Sequence, residues 1–243
     1  MSASRIACWS GPRNISTAMM RAWENRPDCA VVDEPLYAHF LAATGADHPG
    51  REQVIAAGPV AWQDAVAGLI GPVPGGRAVF YQKHMTHHLL PGVGRDWFGA
   101  VRHAFLIRDP REVLLSYLKS RPTVTVEDLG VPQQWQIFEA VYALSDSPPP
   151  VIDAGEFLRD PEGLLRAWCA TLGLGFTPRM LRWSAGLRAS DGVWAPHWYA
   201  AVLASTGFEP YRERDRRVPD AQRAIVEACM PIYEALFARR LRA

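Results

Sequence analysis

Short apolar runs that stop at polar turn residues, with helical periodicity between them, constrain this chain more than any other feature. Arg5-Ile6-Ala7-Cys8-Trp9 runs into a Gly-Pro-Arg turn, Cys29 to Val32 stops at Asp33-Glu34-Pro35, and Ala78 to Gln82 runs into Lys83-His84. Val101 to Ile107 leads to Arg108-Asp109-Pro110, and Val151-Ile152 is a shorter fifth run. Runs of this length bounded by turn signals read as strands buried on both faces. From Ile15, apolar residues fall at Ile15, Ala18, Met19, Ala22 and Trp23, which is helical spacing with one buried face. Further helices are predicted over 51–69, after Asp109, over 132–144, from Pro161 to Leu172 and at the C-terminal end. For the helix after Asp109, that residue is the N-cap, Pro110 takes the first position and Glu112 completes a capping-box-like arrangement. Strands alternating with helices argue for an α/β fold, a parallel sheet covered on both faces. At 243 residues the chain fits a single α/β domain over 1–243, with a helical, loop-rich part from about residue 177.

In such sheets ligands sit beyond the carboxyl ends of the strands. Arg13, Glu34, Lys83 and Arg108 are all expected just past such ends, and their convergence is the main functional signal. With 26 basic and 25 acidic residues the net charge is +1, so nothing supports bulk nucleic-acid binding and any anion site must be local. Cys8, Cys29, Cys169 and Cys229 form no metal-binding or disulfide spacing. No stretch approaches the ~18 apolar residues of a membrane span. A reduced, cytoplasmic protein without a membrane partner is expected.

The first turn, Gly11-Pro12-Arg13-Asn14-Ile15-Ser16-Thr17, places a guanidinium and two hydroxyls at the start of a helix. A helix N-terminus presents unpaired N–H groups and a partial positive charge, which suits a phosphate. An ordinary strand–turn–helix capped by Ser16 or Thr17 is the alternative. The nucleotide-triphosphate loop Gly-x-x-x-x-Gly-Lys-Ser/Thr is absent, which weighs against an ATPase or kinase.

Pro12-Arg13-Asn14-Ile15-Ser16-Thr17 resembles the first motif of the P-loop sulfotransferases, which use 3′-phosphoadenosine 5′-phosphosulfate (PAPS). Phe105 to Ser116 is similar to their second motif, a strand ending in Arg-Asn-Pro or Arg-Asp-Pro with a helical Ser eight residues after the Arg. Asp153 to Phe176 echoes a third segment ending in Leu-Gly-x-x-Phe. The resemblance covers about the first three quarters of the chain. It implies a three-layer P-loop (nucleoside-triphosphate-hydrolase-like) sheet and sulfuryl transfer from PAPS, as co-substrate, to a hydroxyl or amine of a small-molecule acceptor. No metal is required. One departure is Ile15, where many members have Gly. A β-branched residue does not readily take φ > 0, so the turn must differ or the helix begin earlier, with Gly11 supplying flexibility.

By this resemblance Arg13 and the amides of Asn14, Ile15, Ser16 and Thr17 hold the 5′-phosphosulfate, while Arg108 and Ser116 hold the 3′-phosphate. Arg13 also stabilises the departing oxygen. Glu34, in a Glu-Pro pair at the end of the second strand, is the first candidate for the base, with Asp33 a turn or cap carboxylate. His84 is the second candidate, and Lys83 assists Arg13 on the sulfate. His87 and His88 follow nearby, but no acidic or Cys partner sits at metal-ligand spacing. Trp194, His197, Trp198 and Tyr199 are either an acceptor-side lid or a covering layer. The Arg212–Arg217 run reads as a solvated charge run lying where relatives close a basic loop over the cofactor. Two other functions stay open: a kinase with an atypical loop, and a catalytically silent nucleotide-binding module.

Overall fold

The computed structural model describes every residue except Met1, Ser2, Ser120, Pro122 and Asp146. Strands β1 (Ser4–Ser10), β2 (Cys29–Asp33), β3 (Val79–Met85), β4 (Arg102–Ile107) and β5 (Val151–Asp153) pair in parallel in the order β2-β3-β1-β4-β5. The helices are α1 (Ser16–Glu24), α2 (Tyr37–Thr44), α3 (Arg51–Ala57), α4 (Trp62–Ile70), α5 (Pro110–Tyr117) and α6 (Val126–Leu129). They continue with α7 (Val131–Tyr142), α8 (Ala154–Arg159), α9 (Pro161–Thr171), α10 (Ala195–Trp198), α11 (Ala200–Leu203) and α12 (Arg223–Phe237). Among the described residues no single helix is long and apolar enough to cross a membrane.

Side chains alternate across a strand, so each strand feeds two cores. Cys8, Tyr81, Leu106 and Ile152 face Met19, Met20 and Trp23 of α1 and Leu165 and Trp168 of α9. Trp23 stacks on Tyr81 at 5.5 Å and meets Trp168 edge-on at 5.0 Å. Ala7, Trp9, Phe105 and Val151 face the other way, onto Val66 and Leu69 of α4, Ile137 and Phe138 of α7 and Leu236 of α12. The result is the three-layer α/β sandwich expected from the strand–helix alternation. All four cysteines are buried and free.

Three local expectations change. The helix predicted over 51–69 is two helices, because Pro59 disfavours helical geometry in the residue before it and Gly58 is extended (φ −131°, ψ 169°). Asp109 caps α5 by accepting from the Arg111 amide, but Glu112 does not close a capping box; its carboxylate turns to arginines instead. The third strand runs on to Met85, since it is sandwiched between two partners and pairs with β1 as far as Met85 against Ser10. Lys83 and His84 are therefore inside the sheet rather than past its end.

Where β1 and β4 part, Gln134 of α7 donates to the carbonyls of Trp9 (3.1 Å) and Leu106 (3.0 Å), satisfying backbone acceptors at the carboxyl ends of both strands. Gly11 lies so close to α6 that a Cβ would sit 2.8 Å from the Leu129 carbonyl oxygen. Its φ is not positive. Gly11 thus serves close approach, and the unusual conformation of the turn falls elsewhere.

Candidate active site

Register brings the functional residues together. Ser10 pairs with Leu106, so the turns after β1 and β4 leave the sheet side by side. Asp33 pairs with Lys83, which puts the end of β2 against the middle of the same carboxyl edge. Among the described residues only two non-glycine residues have positive φ, Arg13 (55°) and Glu34 (42°). Such conformations cost of order 1–3 kcal/mol each and persist where the surroundings fix them, often at working sites. Glu34 is fixed by its amide donating to the Lys83 carbonyl (2.9 Å) and its carbonyl accepting from the Tyr37 amide (3.0 Å).

At the first turn, Arg13 Nε donates to Ser116 Oγ (3.0 Å), and Arg108 Nη1 donates to the Arg13 carbonyl (2.5 Å). Arg13, Arg108 and Ser116 therefore form one cluster. Helix α1 has no side-chain cap, leaving its first turn open to an anion. Ile15 sits at the cap position with φ −89°, so its branched side chain meets no strain; the left-handed residue is Arg13. Asn14 is spoken for: Nδ2 donates to the Leu106 carbonyl (3.1 Å) and Oδ1 accepts the Ile15 amide (2.8 Å). Asn14 braces the turn, and Ser16 and Thr17 are buried behind it.

A cavity of about 300 Å³ opens beside this cluster, lined by Ile15, Arg108, Glu112, Gly155, Tyr211, Arg212 and Arg214 among others. Glu112 organises its wall. It accepts from Arg108 Nε (3.2 Å) and Nη2 (3.1 Å), from Arg216 Nε (3.1 Å) and Nη2 (2.8 Å), and from the Tyr211 hydroxyl (3.3 Å). Part of the Arg212–Arg217 run is thus anchored over the cavity rather than solvated. Arg216 is the anchored member, whereas Arg212, Glu213, Arg214, Asp215 and Arg217 are exposed and fit the solvated reading, with Arg217 paired to Asp215.

The second half of the site is a buried charge cluster. Lys83, 1% exposed, donates to Asp33 Oδ1 (2.8 Å), to the Tyr199 hydroxyl (2.7 Å) and to Glu34 Oε1. An ammonium has three N–H donors, and all three are used. Lys83 therefore holds carboxylates and has none left for a sulfate, which corrects the role expected for it. Burial works against its charge, but Asp33 and Glu34 more than offset this and hold its pKa well above the usual lysine value. Asp33 is an ion-pair partner rather than a simple turn carboxylate. Glu34 Oε2 faces the His88 ring, whose Nδ1 is 3.8 Å away, beyond hydrogen-bond reach. Burial chiefly, then the Asp33 charge, raises the Glu34 pKa against the opposing pull of Lys83.

His84 does not join Glu34. One residue on from Lys83, it points to the opposite sheet face, where it stacks on Trp9 at 4.4 Å and lies beside Trp97. Its Nε2 contacts Gln82 Oε1 at 3.4 Å, and burial holds its pKa down to about 3. It is a core side chain, so His84→Ala is expected to cost about 2–4 kcal/mol of stability. Denaturant unfolding checks this, and nucleotide affinity of the folded protein is expected to be unchanged. Of the Trp194–Tyr199 segment, Trp194 and Tyr199 are buried and reach the cluster, whereas His197 and Trp198 face outward.

A family model for the sulfotransferase domain matches residues 4–240. Two curated relatives from Arabidopsis thaliana, the branched-chain-amino-acid aminotransferase-like proteins 1 and 2, are 38% and 35% identical over 95% of this chain. The chain spans 41% of the length of each. Among solved structures, the sulfotransferase domain from the curacin biosynthetic pathway superposes with a TM-score of 0.57 at 14% identity, covering 93% of this chain and 97% of that one. A sulfotransferase from Alicyclobacillus acidocaldarius gives 0.55 at 14% identity, covering 99% and 98%. A mouse sulfotransferase complexed with PAP gives 0.54 at 13% identity, covering 97% and 88%. These likenesses share the fold, and with a family match running nearly end to end, the chain belongs to the sulfotransferase domain family.

Proposed function

We propose that this protein is a PAPS-dependent sulfotransferase acting on a hydroxyl or amine of a small-molecule acceptor, with Glu34 as the base. The supporting observation is the meeting of two cationic motifs at the uncapped start of α1, where Arg108 donates to the Arg13 carbonyl and Arg13 to Ser116, beside a cavity flanked by Arg212 and Arg214. That donor set suits a nucleotide bearing two separate anionic groups: forked guanidiniums and helix amides both favour phosphate-like oxygens. PAPS, when bound, supplies the sulfuryl group and an oxygen that leaves with negative charge.

The chain's own residues do the remainder. Arg13 and the first turn of α1 carry the positive field that stabilises charge on the departing oxygen. Arg108 and Ser116 hold the second phosphate. Glu34 Oε2 takes the proton from the acceptor as the new bond to sulfur forms, while Oε1 is held still by Lys83. A raised carboxyl pKa makes a stronger base.

Only ionised Glu34 accepts the proton, so turnover should fall as pH drops through its pKa. That acid limb is expected above the ordinary glutamate value of 4.5. A kcat–pH profile checks it, and a limb at or below that value counts against Glu34. The function itself is tested by incubating the protein with PAPS and a panel of phenols, alcohols and amines, reading products by mass spectrometry. Sulfated product with matching release of adenosine 3′,5′-bisphosphate is the expected outcome. Magnesium-dependent phosphorylation from ATP would overturn the proposal.

A further inference from the structure

The segment 186–199 lies far along the chain from both halves of the site, yet it is tied to the last turn of α1 and to the buried charge cluster. At one end it grips α1: Asp191 Oδ2 accepts from Arg21 Nη2 (2.5 Å) with both side chains almost fully buried. Beside that pair, Arg188 Nη1 (2.6 Å) and the Ser190 hydroxyl (2.5 Å) both donate to Glu24. At the other end it grips Asp33, the neighbour of the base. The Gly192 amide donates to Asp33 Oδ2 (3.2 Å), and a side chain at Gly192 would collide with the Trp194 ring. Trp194 Nε1 donates to the Tyr199 hydroxyl (2.9 Å).

Hydroxyl bookkeeping then fixes what Tyr199 does. A phenol has one proton to give and two lone pairs to fill. Lys83 and Trp194 can only donate, so they fill both lone pairs. The single proton must go to a carboxylate, and Asp33 Oδ2 at 2.8 Å is nearer than Glu34 Oε1 at 3.3 Å. Tyr199 thereby fixes Asp33, occupies the third donor of Lys83 and leaves that ammonium aimed at Glu34 Oε1. Building on the reading of Glu34 as the base, we infer that Tyr199 is a positioning residue: it holds the Asp33–Lys83 pair so that Glu34 stays ionised with Oε2 directed at the acceptor.

The groups facing Glu34 are Asp33 from β2, Lys83 from β3, His88 from the turn after it, Tyr37 from α2, Tyr117 from α5 and Tyr199 from the 186–199 segment. His88 is neutral because burial pushes its pKa well down, and Tyr37 and Tyr117 are raised by burial and stay neutral too. Lys83 is therefore the one cation among them that favours ionised Glu34, and Tyr199 is what keeps it in place.

The test is a carbon-13 NMR titration of glutamate side-chain carboxyls in the intact protein saturated with adenosine 3′,5′-bisphosphate. Glu34→Gln assigns the Glu34 signal by its loss. In Tyr199→Phe, the Glu34 midpoint should move up by about half a pH unit or more, because a weaker hold on its cation favours the neutral acid. Affinity for the bisphosphate should stay as in the wild type, while kcat falls about tenfold. A midpoint that stays put or moves down overturns the inference, whatever happens to kcat, since general destabilisation would not move one carboxyl in the folded fraction. Should Tyr199→Phe fail to fold, Trp194→Phe removes only the N–H aimed at the hydroxyl and is expected to move the midpoint in the same direction by less; no movement there is again a refutation. The two claims fail separately. Full activity in Glu34→Gln rejects the base, and an inactive Glu34→Gln with an unmoved midpoint in Tyr199→Phe rejects only the positioning role.

Discussion

Glu34→Gln should lose about 10²- to 10⁴-fold in kcat while binding adenosine 3′,5′-bisphosphate as well as the wild type does. Glutamine keeps the size of the side chain and an oxygen that can accept from Lys83, so the geometry around β2 and β3 survives. Asp33 still neutralises the buried ammonium, so the substitution does not strand a charge. The one property removed is the ability of Oε2 to take a proton. Because the nucleotide cluster is built from Arg13, Arg108 and Ser116 on other elements, the loss should appear in turnover and not in binding. Single-turnover kinetics alongside calorimetry separate the two. Parallel losses in both would mean that Glu34 matters for structure and not for chemistry.

Arg108→Ala is expected to have the largest effect on nucleotide binding. The guanidinium braces the left-handed Arg13 through its carbonyl and forks onto Glu112 with its other two nitrogens. Truncation removes a phosphate ligand and unpins Arg13 in one step. It also leaves the buried carboxylate of Glu112 with only Arg216 and Tyr211. Hydrogen bonds to charged groups contribute about 1.5–3 kcal/mol each, so the bisphosphate should bind about 10- to 150-fold more weakly. Arg108→Lys keeps the charge but not the fork, and should recover only part of the loss. Calorimetric titration of the three proteins measures this, and equal affinity in Arg108→Ala would remove Arg108 from the site.

What the sequence reveals of this site follows from how local each signal is. Arg13 and Arg108 announce themselves because each sits in a contiguous strand–turn–helix motif whose meaning does not depend on distant residues. Glu34 is legible for the same reason, as a carboxylate at a strand end before proline. The sheet itself is legible because five apolar runs alternate with helices. The place of Lys83 is not legible because the length of β3 is set by its two neighbours, and pairing with Cys8 and Asp33 draws Lys83 into the sheet. The face His84 takes is hidden for the same reason: one residue of register decides which side of the sheet a strand side chain occupies. Tyr199, 166 positions from Asp33, carried only the signal of an aromatic segment. Nothing local marks it as a partner of buried carboxylates. Glu112 reads as the partner of Asp109 in a capping box because the arginine that competes for it, Arg216, lies 104 positions on.

The most direct test of this account is a magnesium-free calorimetric titration with adenosine 3′,5′-bisphosphate, alongside adenosine 5′-phosphate and ATP. Two anion sites, one at Arg13 and the start of α1 and one at Arg108 and Ser116, predict micromolar binding of the bisphosphate. Adenosine 5′-phosphate, which can fill only one of them, should bind at least about tenfold more weakly. Equal affinity for the two, or tighter binding of ATP once magnesium is added, would contradict it.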